Sequence, residues 1–161
     1  MTERPRISVA GIGNILLGDE GLGVYAARAL EPGYAGQGEV QIFDGGTLGL
    51  MLLPHIEDST HILLLDALDL DAPAGTVREY DEVSMRGAPI SIFSVHGISL
   101  PDLSNLLRFR NERLEAIHLI GIVPSIIETS TDLSPEVQRS LPDIVRLARR
   151  RIESWLKAGV S

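Results

Sequence analysis

The chain has 161 residues, 44% of them hydrophobic and 22% charged, with no cysteine and a formal net charge of −8. This describes one soluble globular domain over residues 1–161, long enough to bury a sizeable core. The missing cysteine excludes a disulfide scaffold, a thiolate metal site and a cysteine nucleophile, and the acidity argues against nucleic acid or an anionic membrane as partner.

The acidity is uneven: residues 1–103 hold five Arg and no Lys against 15 Asp and Glu, whereas residues 104–161 hold nine bases and seven acids. Near the start, Arg4 and Arg6 precede an apolar run that Gly11, Gly13 and Asn14 interrupt. It is too short to cross a bilayer and reads as a buried first strand, so a cytoplasmic location is expected.

Ile7-Ser-Val-Ala-Gly-Ile-Gly13 is the near-continuous apolar pattern of a strand covered on both faces. A helix follows over residues 20–30, with Val24, Ala27 and Leu30 on one stripe, and stops before Pro32-Gly33. Residues 40–43 form a second strand, ending at Asp44-Gly-Gly-Thr47, and residues 48–56 a short helix interrupted by Pro54. His61-Ile-Leu-Leu-Leu65 is the most apolar strand and is expected to stop at Asp66. Residues 76–80 alternate as a more exposed, antiparallel strand; residues 99–107 form a helix with Pro101 in its first turn; residues 116–120 form the last strand. Ser134-Pro-Glu136 opens a final helix, whose buried stripe is Val137, Leu141, Ile144, Val145, Ala148, Ile152, Trp155 and Leu156, with a kink at Pro142. Strands alternating with helices predict an α/β fold: a twisted, mainly parallel, mixed sheet of five strands with helices on both faces.

In open sheets of this kind, sites form beyond the carboxyl ends of the strands. That rule selects residues 13–20, 44–47 and 66, and each group contains an acid. Gly11-Ile-Gly13 before a helix, with Asp44 ending the next strand, has the outline of a dinucleotide fingerprint. The third glycine is replaced by Leu16, however, and Asp19-Glu20 would repel a pyrophosphate. Serine-elbow, zinc-protease and phosphate-loop motifs are absent, and the only lysine is Lys157. His61 and His118 sit inside strand patterns and His55 ends a short helix. His96, in Phe93-Ser-Val-His-Gly97, stands in a loop where it can face a cleft. Glu20 and Asp66 have plain structural readings as helix-terminus and turn caps. Together with one imidazole they also make a three-ligand site suited to a borderline divalent ion such as nickel or zinc. Arg108, Arg110 and Arg113 are either a solvated helix end or a surface for an acidic partner.

Four segments in order, Gly11-Ile-Gly-Asn-Ile-Leu-Leu-Gly-Asp-Glu-Gly-Leu-Gly23, Asp44-Gly-Gly-Thr47, Leu65-Asp-Ala67 and Ser94-Val-His96, resemble the successive motifs of the nickel-iron hydrogenase maturation proteases. The resemblance covers nearly the whole chain. It implies an endopeptidase, aspartyl-type and metal-recognising, that removes a C-terminal extension from the hydrogenase large-subunit precursor after nickel insertion. It further implies Glu20, Asp66 and His96 as metal-binding and catalytic residues, with position assigning the first role to Glu20 over Asp19. Asp44, Gly45, Gly46 and Thr47 take a weaker role in substrate recognition. Without thiolates, three such ligands hold metal modestly, so the nickel is expected to arrive with the substrate, although zinc or cadmium could occupy the site in vitro. The protein is expected to act as a monomer on the precursor. Metal-polarised water, or water activated by Asp44 or Asp66, are both open as the attacking group. A non-cleaving nickel chaperone and a nucleotide-binding module are the alternatives.

Overall fold

The computed structural model describes residues 4–47, 49–88, 91–92, 99–125 and 127–160. The elements run β1 (Ile7–Ile12), α1 (Leu22–Leu30), β2 (Val40–Gly46), α2 (Leu53–Ile56), β3 (His61–Asp69), β4 (Val77–Asp81), α3 (Glu82–Gly87), β5 (Ser91–Ile92), α4 (Leu100–Arg110), β6 (Ala116–Ile122) and α5 (Pro135–Ala158). The main sheet has the order β2-β1-β3-β6-β4. It is parallel except for β4, which pairs antiparallel with β6, and the two-residue β5 pairs antiparallel with the end of β3. This is the α/β class and five-strand mixed sheet expected from the alternation, with β5 as an addition.

Both faces are covered because the central strands are apolar on both. Leu63 and Leu65 of β3 pack with Leu22, Ala26 and Leu30 of α1 and with Val137, Ile144, Ala148, Ile152 and Trp155 of α5. Ile62, Leu64 and Leu68 face the other way, onto Ile56, Met85, Leu103 and Leu107 from α2, α3 and α4. Removing each such aliphatic side chain from water contributes roughly 1.5–3 kcal/mol. The α5 stripe is the one read from the sequence, with Leu141, Val145 and Leu156 at its half-buried margin. Helix α5 continues through Pro142 and is N-capped by Ser134, whose Oγ accepts from the Val137 N–H at 3.3 Å.

Several boundaries differ from the sequence reading. Residues 18–21 form a 3-10 turn, and α1 begins only at Leu22. The segment leading to Ile56 divides into a 3-10 turn, Gly49–Leu52, and α2, while residue 48 lies outside the described residues. Strand β3 does not stop at Asp66: Ala67 still pairs with Ile122 of β6, and Leu68 and Asp69 pair with β5. The arginines ending α4 are exposed, as a solvated helix end would be, but two of them are paired. Arg108 is ion-paired with Glu82 and Arg110 with Glu57, which removes two of the three charges offered to an acidic partner. His61 and His118 stand on the α5 face of adjacent strands, their rings 4.9 and 5.7 Å from that of Trp155.

Candidate functional site

Strand β1 is the point at which the sheet reverses its order, because β2 lies on one side of it and β3 on the other. The crevice at the carboxyl ends of β1 and β3 is therefore the place to look for a site. The β1–β3 pairing ends at Gly11↔Leu65, and β1 itself at Ile12. Asp66 is the first β3 residue past that pairing and is matched on its other side by Gly121 of β6.

The turn Gly18–Gly21, which carries Glu20, packs against β3. Glycines make this approach possible. Gly13 has φ +145°, and a Cβ there would lie 1.9 Å from the Glu20 carbonyl oxygen. On Gly23 a Cβ would lie 2.1 Å from the Leu65 carbonyl oxygen and 2.5 Å from that of Ile12. The glycine-rich first motif thus lets α1 and its preceding turn sit directly on the main chain of β1 and β3.

Three acids are buried here: Asp19, Glu20 and Asp66 are 1%, 7% and 0% exposed. Asp19 accepts the Ser134 N–H at Oδ1 (2.7 Å) and the Ser125 N–H at Oδ2 (2.9 Å). Asp66 Oδ1 accepts the Ala67 N–H at 2.7 Å, and strand alternation places its side chain on the Leu64 and Leu68 face. Its expected role as cap of a turn does not apply inside a strand. No ion pair among the described residues engages Glu20. Burying a carboxylate without a cationic partner is unfavourable, and an arriving cation would offset that.

The Asp44 segment lies apart from this pair. It is part of β2 instead of following it, on the edge strand across β1 from β3. Asp44 pairs with Gly11 and Gly46 with Ile12, so Gly45 is the extra residue of a bulge. Gly45 is buried, Gly46 adopts φ +47°, and Thr47 is exposed. Asp44 Oδ2 accepts from Arg28 Nη2 at 2.8 Å and Nε at 3.2 Å, and Oδ1 accepts the Gly46 N–H at 3.2 Å. With both oxygens engaged, Asp44 is better fitted to shape the edge of the site than to activate a water.

His96 and Ser94 lie outside the described residues. Among the described residues no three His, Asp or Glu converge on a metal position. The other histidines are elsewhere: His61 begins β3, at the opposite end of the sheet; His118 is buried against Trp155; His55 is exposed near Phe43. Sequence reasoning used Asp19 as a charge that would repel a pyrophosphate, set it aside in favour of Glu20, and passed over Arg28. The signal for Arg28 was its place near the end of α1, within reach of the neighbouring acidic strand. A dinucleotide finds no cradle, since the buried acids of the 3-10 turn stand where a pyrophosphate would meet the N-terminus of α1.

The family model for hydrogenase maturation protease matches residues 24–151. The chain belongs to the hydrogenase maturation protease family. A curated relative, the hydrogenase 2 maturation protease of Escherichia coli, is 36% identical to this protease over 95% of this chain and 94% of its own. The hydrogenase expression/formation protein HupD of Rhizobium leguminosarum is 35% identical over 94% and 76%. The solved structure of the hydrogenase maturating endopeptidase HybD from E. coli superposes with a TM-score of 0.81 at 31% identity, covering 92% of this chain and 93% of that one. For the nickel-iron hydrogenase maturation protease HybD from Thermococcus kodakarensis the values are 0.75 and 28%, with 90% and 97% covered. The protease therefore acts on peptide bonds and serves the processing of a hydrogenase subunit. No described helix is long and apolar enough to cross a membrane.

Proposed function

We propose that this protease removes the C-terminal extension from the nickel-loaded precursor of a nickel-iron hydrogenase large subunit, and that it recognises the nickel itself. The observation that carries this reading is Glu20: a buried carboxylate without an ion-pair partner among the described residues, on a turn packed against the strand of Asp66. Nickel is cargo of the substrate, and Glu20, Asp66 and His96 complete its coordination. His96 is four residues beyond Ile92, whose partner Leu68 is two residues from Asp66, so a third ligand from this segment is within the reach of the chain.

In this arrangement the metal contacts place the scissile bond beside the site, and cleavage is confined to loaded precursor. Asp44, Gly45, Gly46 and Thr47 line the approach of the substrate backbone, with buried Gly45 shaping the bulge and exposed Thr47 at its outer end. The attacking water is activated at the buried acids, not at Asp44: its hydroxyl adds to the scissile carbonyl and its proton passes to the leaving amine. The enzyme works as a monomer in the cytoplasm.

The test is mass analysis of precursor, with and without nickel, after mixing with the protease or with Glu20→Gln, Asp66→Asn or His96→Ala. Wild-type enzyme shortens only the nickel-loaded precursor, and each variant leaves it intact while keeping its circular dichroism. Processing by all three variants would overturn the assignment, and nickel-dependent binding with an intact tail would mark a non-cleaving chaperone instead.

A further inference from the structure

We propose that Asp19 is the positioning residue that holds Glu20 in place for the precursor. This rests on the reading of Glu20 as a contact to the nickel-loaded substrate. Asp19 is almost completely buried, and each of its oxygens accepts a backbone N–H from a different part of the segment joining β6 to α5: Ser125 at 2.9 Å and Ser134, the N-cap of α5, at 2.7 Å. The same segment grips the turn at neighbouring points. Gly18 N–H donates to the Ser130 carbonyl at 2.7 Å, Ser130 N–H to that of Leu16 at 2.9 Å, and the Tyr25 hydroxyl to that of Thr131 at 2.9 Å. Glu20 is the next residue in the turn, with its own carbonyl against Gly13.

The requirement is for a carboxylate. Two N–H donors approach the two oxygens, and a carboxylate, which only accepts, satisfies both with charge-assisted bonds. An asparagine would set its NH₂ against one of the donors, releasing either Ser125 or Ser134 and loosening one side of the turn. Asp19 thereby stands to Glu20 as an outer partner stands to a ligand: it touches neither metal nor peptide and fixes the residue that does.

A double-mutant cycle on affinity for nickel-loaded precursor, measured per folded molecule, tests this. Asp19→Asn is expected to weaken binding by about 10- to 100-fold, the range for loss of a ligand's outer partner. In a Glu20→Gln background the same change is expected to weaken it no further, because Asp19 acts through Glu20. An equal loss in both backgrounds, or none in either, would reduce Asp19 to a structural latch and overturn the proposal. If Asp19→Asn does not fold, Ser134→Pro replaces it: Ser134 has φ −60° and ψ 155°, which proline accepts, so the change deletes the N–H. Ser134→Ala is its control, keeping the N–H and losing only the cap. Binding weaker for Ser134→Pro than for Ser134→Ala is expected, and equal binding would overturn the proposal. Wild-type binding by Glu20→Gln would overturn the functional reading and this inference together, whereas impaired Glu20→Gln beside intact Asp19→Asn overturns this inference alone.

Discussion

Replacing Gly23 with alanine tests whether the site is built by close backbone packing. The new methyl would lie 2.1 Å from the Leu65 carbonyl oxygen and 2.5 Å from that of Ile12. Relieving the closer contact requires a shift of about 1 Å, a large displacement in an interior packed to crystal density. Both oxygens belong to strands held on either side in the parallel ladder, so they cannot turn aside and α1 must lift. Overpacking of this kind costs about 1–3 kcal/mol, here at the upper end, while alanine returns about 1 kcal/mol of helix propensity. The net expectation is a loss of about 2 kcal/mol, or roughly 4–8 °C in Tm for a domain of this size. Because Glu20 precedes Gly23 in the same turn and helix, cleavage per folded molecule falls as well. Gly36→Ala is the control: Gly36 has φ +82° and no atom near its missing Cβ, so only a conformational penalty of about 1 kcal/mol applies, and activity is retained. Guanidinium denaturation followed by circular dichroism, with a cleavage assay on the folded fraction, measures both. If Gly23→Ala matched wild type in stability and cleavage, the helix would not be pinned by these contacts and the reasoning would fail.

Acidification is expected to destabilise the fold through His61 and His118. Burial lowers both from the ordinary imidazole value, with Arg151 adding to the effect at His118 and the carboxylates of Glu115, Glu79 and Asp81 opposing it. The unfolded imidazoles take up protons near pH ~6.5 and the folded ones only below that, so their contribution is complete above about 6.5 and is lost as pH falls through the folded values. Denaturation midpoints at successive pH values, followed by Trp155 fluorescence, check this; a fold in which both histidines become glutamine should lose that part of the slope. Arg28→Ala is expected to change stability by less than about 1 kcal/mol, since the Arg28 and Asp44 side chains are 49% and 43% exposed. A larger loss by thermal denaturation would show that the pair does more than orient the edge of the site.

The elements legible in the sequence were those whose period extended over several residues. The α5 stripe and the apolar strands β1, β3 and β6 belong to that class, and the sheet follows from their alternation with helices. Boundaries depended on tertiary pairing. Asp66 looked like a strand end because charge ends an apolar run, but β6 and β5 supply partners through Asp69 and carry the strand past it. Helix α3 and strand β5 were too short to show a period, although Asp81 and Ser84 hold the spacing of the capping box they form. At the candidate site, Glu20 and Asp66 were singled out by their place after the expected strand ends and by resemblance. The bonds of Asp19 were beyond reach, because Ser125 and Ser134 are more than 100 residues away in the chain. Ion pairs such as Arg28 with Asp44 depend likewise on which helix face meets which strand.

The first motif shows how one residue pattern supports two physical ends. Glycines after a first strand most often let a phosphate approach the backbone and the following helix N-terminus. Here Gly13 and Gly23 admit not a ligand but the chain's own carbonyls, those of Glu20, Leu65 and Ile12. The space for a phosphate is thereby closed, and an acid is held where an anion would otherwise rest. A site held on strands and a packed turn keeps its geometry more tightly than one on a free loop. Under the proposed function, in which loaded and unloaded precursor differ by a few coordinate bonds to the site, that rigidity would turn misplaced or absent metal into failure to cleave.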